Sequence, residues 1–206
     1  MAKTDFKKTL DSYQARRHEF RVVEVPPMQY LMIDGRGDPN SSPEFADAVS
    51  ALYPVAYKLK FASKQDLGRD YVVMPLEGLW WSPDMAAFTT ARDKSRWDWT
   101  LLMMVPDWIT TTMFDAAVAK ASAGDRPARL DDVRLEALAE GPCVQTLHIG
   151  SFDDEAEVLA AMHDDFIPAH GLTMGGKHHE IYLSDFRKVE PGKRRTILRQ
   201  PVVTAC

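Results

Sequence analysis

Apolar positions recur along this chain with two different periods, and the changes of period mark its elements. Residues 4–15 carry a short amphipathic pattern that predicts a helical turn. YLMIDGRG, bounded by Pro26-Pro27 on one side and Gly-Asp-Pro on the other, then predicts a strand from Gln29 to Arg36. Ser42-Pro43-Glu44 has the form of a helix start, a capping hydroxyl followed by proline at the first helical position. Phe45, Val49, Leu52, Val55, Ala56 and Leu59 follow at helical spacing and predict an amphipathic helix to about Phe61. YVVMPLEGLWW (71–81) and WDWTLLMMVP (97–106) are rich in β-branched and aromatic residues. With the polar SPDMAAFTTARDKSR between them, they read as an antiparallel strand pair.

The middle of the chain, about 108–139, carries two helical patterns, ITTTMFDAAVAKASA and ARLDDVRLEALAEG, separated by Gly124-Asp125-Arg126-Pro127 and closed by Gly141-Pro142. It is expected to be a helical bridge. After it the opening order returns, with a strand at 143–152, a helix at 155–171 and strands at 178–186 and 194–202. The halves share this order and little residue identity. The pattern therefore predicts a single α+β domain over 1–206, built from two pseudo-symmetric strand-helix-strand-strand modules at about 28–106 and 143–203. Their strands are expected to form a curved antiparallel sheet with helices on one face, and the other face to line a cleft where ligands bind.

Length and charge narrow the function classes. At 206 residues the chain can bury a core without staples. Its 25 basic and 30 acidic residues give a net charge of -5, and the basic residues are scattered rather than gathered into a phosphate-tracking stripe, so direct nucleic-acid binding is not expected. Cys143 and Cys206 are the two cysteines, too far apart and too few for a disulfide framework or a zinc site. The N-terminal segment lacks an apolar signal core and no stretch has the length of a membrane span. A cytoplasmic, soluble protein that does not engage membranes is expected.

Candidate chemistry concentrates in two strands. In PLEGLWW (75–81), adjacent Trp80 and Trp81 point to opposite faces and cannot both fill one core, so one of them is expected to face the cleft. Trp97 and Trp99 share a face of their strand, and with Trp80 or Trp81 across the ladder they would wall a slot for a planar ring. Core burial is the plainer account of any single tryptophan. Trp108 and Tyr57 join the expected ligand-binding set. In HHEIY (178–182), alternation puts His178, Glu180 and Tyr182 on one face and His179 and Ile181 on the other. Facing solvent, Glu180 is a hydrated strand residue. Lining a cleft, its carboxylate suits a general base or the counter-charge of a cation. Glu77 is a second acidic candidate, though Gly78 beside it suggests a bend and a backbone donor or an arginine as its partner.

Other classes lack support in the pattern. His178 and His179 face opposite ways and cannot converge on one metal ion. His163 and His170 sit in the C-terminal part of a helix, where its dipole favours them. Met174-Gly175-Gly176-Lys177 lacks the spacing of a phosphate loop, and neither a G-x-S-x-G elbow nor an H-E-x-x-H pair is present.

The segments DFKKTLDSYQA, ALYPVAYKLKF, YVVMPLEGLWW, WDWTLLMMVPDWIT and HHEIYLSDFRKVEPGKRRTILRQPV resemble stand-alone GyrI-like proteins over almost the whole chain. The resemblance implies the GyrI-like, or SOUL-like, ligand-binding fold of two SHS2 modules. It also implies a cleft glutamate matching Glu180, which in relatives attached to transcription regulators binds drug-like, often cationic, aromatic compounds. Too few residues precede Gln29 for the helix-turn-helix of those regulators, so a DNA-binding role is not expected. A stand-alone branch, the cyclopropanoid cyclopropyl hydrolases, detoxifies DNA-alkylating natural products of the spirocyclopropyl-dienone type. That branch implies Glu180 as general base on water, Tyr182 or Tyr53 as donor to the developing phenolate oxygen, and no metal or organic cofactor, because ring opening relieves strain. The alternatives are a non-catalytic multidrug-binding protein with a tryptophan cage, a gyrase-binding role known among the relatives, and haem binding through His163, His170 or His178.

Overall fold

The computed structural model of the chain describes residues 3–82 and 94–205. Most of the connection expected at 82–96 lies outside these residues. The described elements are α1 (Phe6–Thr9), β1 (Arg21–Val25), β2 (Met28–Arg36), α2 (Pro43–Asp66), β3 (Glu77–Trp81), β4 (Asp98–Val105), α3 (Thr111–Ser122), β5 (Arg134–Leu138), β6 (Gly141–Ile149), α4 (Glu155–Ala160), α5 (Ile167–Ala169), β7 (Leu172–Met174), β8 (His178–Tyr182) and β9 (Arg195–Thr204). The class is α+β with antiparallel pairing, and the strand-helix-strand-strand order occurs twice, as β2-α2-β3-β4 and as β6-α4/α5-β8-β9 with the three-residue β7 inserted after the helix. Among the described residues no helix is long and apolar enough to cross a membrane.

The backbone divides into two compact units. The first comprises Met1–Phe6, Met28–Met74 and Gly78–Leu138, and the second Lys7–Pro27, Pro75–Glu77 and Ala139–Cys206. In the first unit β2 is the central strand, paired with β4 from Gln29↔Val105 to Arg36↔Asp98 and with β5 from Met28↔Leu138 to Met32↔Arg134. Tyr30, Leu31, Met32 and Ile33 of β2 are buried. All six apolar positions that predict α2 are buried too, so the period of 3.6 correctly identifies its inner face. The helix runs on to Asp66 because its last turn is held by tertiary contacts. Buried Ser63 donates to the Arg69 carbonyl at 2.7 Å and accepts from the Trp108 indole at 2.9 Å, while Lys60 pairs with Asp70 at 2.9 Å.

Two elements differ from expectation. The second helical pattern of the bridge contains strand β5, because RLEAL has helix-forming composition but β2 offers an open edge whose backbone groups it satisfies. Arg134 and Glu136 illustrate the outcome: they meet at 2.6 Å on one strand face, which residues two apart do on a strand and not on a helix. The segment 71–81 is a strand only from Glu77. Upstream, Pro75 cannot donate to a ladder, and Tyr71 makes an isolated parallel bridge with Thr4.

Gly35 is opposite Trp99 in the β2–β4 register, and a Cβ there would meet the indole carbons at 2.0, 2.2 and 2.5 Å. The indole is fully buried, donates to the Gly37 carbonyl at 3.3 Å and takes Phe45 against it at 5.3 Å between centroids. Gly35→Ala is therefore expected to cost about 1–3 kcal/mol through overpacking, read as a lower urea midpoint at unchanged slope.

In the second unit the order is β1-β6-β9-β8, with β7 also on β9. Met162 and Ile167 from the helical segment pack with Val144, Leu198 and Val202 of the sheet. The expected helix at 155–171 begins after a capping box between Ser151 and Asp154, but it is not α-helical throughout. Ala161–Phe166 is a π-helix between α4 and α5. Pro168 has no N–H for the Asp164 carbonyl and its ring crowds that oxygen, which accounts for the widened turn.

Candidate functional site

Strand β8 holds the candidate site, and its two faces do different work. Pairing with β9 from His179↔Arg199 to Tyr182↔Thr196, together with a bond from the Tyr182 amide to the Leu76 carbonyl at 3.0 Å, fixes which side chains go to which face.

On one face the Glu180 side chain is 13% exposed. Its Oε2 accepts from the Tyr182 hydroxyl at 2.8 Å, and its Oε1 is 3.6 Å from His178 Nε2. The Tyr182 ring packs edge-on against Phe152 at 5.7 Å and Phe186 at 5.8 Å, and the Arg194 guanidinium sits 5.1 Å from the Phe152 ring centroid. His163, delivered by the π turn, meets the His178 ring edge-on at 6.0 Å. Burial, and after it the nearby His178, lowers the His163 pKa to about 4, so His163 is neutral at ordinary pH. A carboxylate with one oxygen held by a phenol and the other near an imidazole is equipped to take a proton or to balance a cation.

The other face is closed. His179, fully buried, has Nδ1 2.9 Å from Glu140 Oε1 and Nε2 3.0 Å from Glu77 Oε2. Tyr13 donates to the other oxygen of Glu77 at 2.5 Å. Arg199, also fully buried, donates to Glu140 at 2.7 Å, to Gln145 at 3.1 Å and to the Ser12 carbonyl. With His179 protonated, two cations face two carboxylates, and both His179 nitrogens and all four carboxylate oxygens have partners, the condition under which buried charge is tolerated. Burial opposes the His179 charge, but Glu140 and Glu77 outweigh it and raise the pKa to about 9. Burial likewise raises Glu140, but His179 and Arg199 outweigh it and bring it to about 2.

These shifts predict a stability profile. The raised His179 contributes fully below its ordinary value of 6.5, and its contribution is lost as pH rises towards 9. The lowered Glu140 contributes above 4.5, and its contribution is lost as pH falls towards 2. Unfolding free energy should fall by about 3 kcal/mol between pH 6.5 and 9, and His179→Gln should flatten that limb in pH-dependent urea titrations.

The residues predicted from sequence fall in both units. Glu180 and Tyr182 come together as described. Glu77 is fully buried in the second unit, and its partners are Tyr13 and His179 rather than a backbone donor or an arginine. In the first unit Trp80 is the buried member of its pair. It stacks on Phe45 at 6.2 Å and meets Trp97 edge-on at 5.9 Å, while Trp81 and Trp97 are half-buried. Trp99 is core. Trp108 packs against Phe6, Tyr71 and Arg69. On α2 Tyr53 is half-buried and Tyr57 exposed. Sequence reasoning missed Tyr13, Glu140, Phe152, Phe186, Arg194 and Arg199. The one local signal was an arginine in the middle of the apolar strand TILRQPV, which requires a buried acid.

Fold and site together define a small-molecule-binding α+β domain. Residues 18–202 match the GyrI-like small molecule binding domain, and the chain belongs to that family. A crystal structure of an uncharacterized conserved protein from Listeria innocua is 38% identical, covers 98% of this chain and 100% of its own, and superposes with a TM-score of 0.88. A crystal structure of a hydrolase from the same organism is 37% identical, with 98% and 100% covered and a TM-score of 0.85. The C-terminal domain of EcmrR shares the fold at 11% identity and a TM-score of 0.56, covering 91% of this chain and 98% of its own. No curated protein matches the chain.

Proposed function

We propose that the chain is a cofactor-independent hydrolase that opens the cyclopropane ring of flat aromatic, DNA-alkylating cyclopropanoid compounds. The carrying observation is the Glu180 carboxylate, largely shielded from solvent and held at 2.8 Å by Tyr182 beside the rings of Phe152 and Phe186. Full-length similarity to a Listeria hydrolase at 37% identity supports the enzymatic reading.

In this reading Glu180 takes a proton from water as the water oxygen bonds to the cyclopropyl methylene. The strained carbon–carbon bond breaks, its electron pair moves into the dienone, and the oxygen becomes a phenolate that then takes up a proton. The net change is addition of one water. Tyr182 gives its one hydroxyl proton to the carboxylate and so orients it. A ligand-binding role for Trp80, Trp81, Trp97, Trp108 and Tyr57 belongs to the same proposal, whereas Glu77, fully buried between Tyr13 and His179, takes no part in it. The test is incubation with a spirocyclopropyl dienone, followed by product mass. Sequestration of aromatic cations, with Glu180 as counter-charge, is the second reading. The shielded Glu180 carboxylate, held by the phenol of Tyr182, supports it, because an enclosed carboxylate with an aromatic neighbour suits a cation.

A further inference from the structure

His178 has no part in the hydrolysis described so far, yet its side chain is 2% exposed and lies next to the proposed base. An imidazole in so enclosed a position needs polar partners, and a carboxylate can accept its N–H or take up and return a proton. Three features converge on it. Its Nε2 is 3.6 Å from Glu180 Oε1, a separation that a small side-chain rotation closes to a hydrogen bond. The opposite carboxylate oxygen is occupied by Tyr182, so Oε1 is the oxygen left to face His178. The six-residue π turn, a feature that concentrates at functional sites, puts the His163 ring against His178.

We propose that His178 and Glu180 form a coupled acid–base pair in which His178 is the proton carrier for Glu180. The inference rests on the proposed hydrolase reading for its catalytic part and stands on geometry for the pairing. After Glu180 has taken the proton of the attacking water, the carboxylic acid passes it to the neutral imidazole and is restored as carboxylate. The imidazolium then delivers the proton to the product phenolate or to solvent. No other co-reactant is required. Glu180 on its own strand and His163 on the π turn both face His178, with Asp164 beside His163 acting on that ring.

Two readouts on the full chain test this. Histidine ring nitrogen NMR of the wild type and of Glu180→Gln, assigned with His178→Gln, should show the His178 ring resonances displaced when the carboxylate is removed. Unchanged resonances would overturn the pairing, whether or not the His178 variant folds. With a spirocyclopropyl dienone as substrate, His178→Gln should lower kcat about tenfold or more with KM little changed, and should add nothing in the Glu180→Gln background. Free imidazole should restore part of the rate to His178→Ala, a rescue that a purely structural histidine would not show. Wild-type turnover undiminished in His178→Gln would sink the proton-carrier role. No turnover by the wild type, with the NMR coupling present, would sink the hydrolase reading and leave the pair standing.

Discussion

Replacing Arg199 with methionine is expected to destabilise the protein by about 3–5 kcal/mol, a large share of the stability of a domain this size. The guanidinium is fully buried and donates to Glu140, Gln145 and the Ser12 carbonyl. Methionine keeps much of the volume and removes the charge, leaving two carboxylates, Glu77 and Glu140, to face His179 alone. Glu140 would then titrate well above its present value of about 2. The double variant Glu140→Leu with Arg199→Met should be less destabilised than the single one, because it leaves the balanced pair Glu77–His179. Urea unfolding at pH 6.5 checks both. A loss below about 1 kcal/mol for Arg199→Met would show that the buried network does not hold the second unit together.

The second large effect is on turnover. Glu180→Gln should reduce kcat by about 10²–10⁴-fold, the usual worth of a general base, while a neutral planar ligand still binds. The amide has the size of the carboxylate and still accepts from Tyr182, so the aromatic wall of Phe152, Phe186 and Tyr182 is retained. A cationic aromatic ligand should distinguish the two readings of the same carboxylate, because its affinity depends on the charge that glutamine lacks.

Much of this architecture was legible in hydrophobic period alone, and the exceptions have particular causes. The inner face of α2 follows from Phe45, Val49, Leu52, Val55, Ala56 and Leu59 because a long amphipathic helix repeats its signal over many turns. Five residues of RLEAL repeat nothing, and their state was decided by the open edge of β2, which no local pattern reveals. The site divides in the same way. Alternation alone puts Glu180 and Tyr182 on one face of β8 and His179 on the other. The partners of His179 come from residues 39 and 102 positions away in the chain, so its role as a buried cation was hidden from sequence. Glu77 was undervalued for the same reason: its partner Tyr13 lies 64 positions upstream.

Turnover of a spirocyclopropyl dienone, followed by product mass, tests the central claim most directly. The account predicts many equivalents of product heavier by one water per protein molecule, formed without added metal or cofactor and lost in Glu180→Gln. Tight binding of the intact dienone with no hydrated product, or equal turnover by Glu180→Gln, would contradict it.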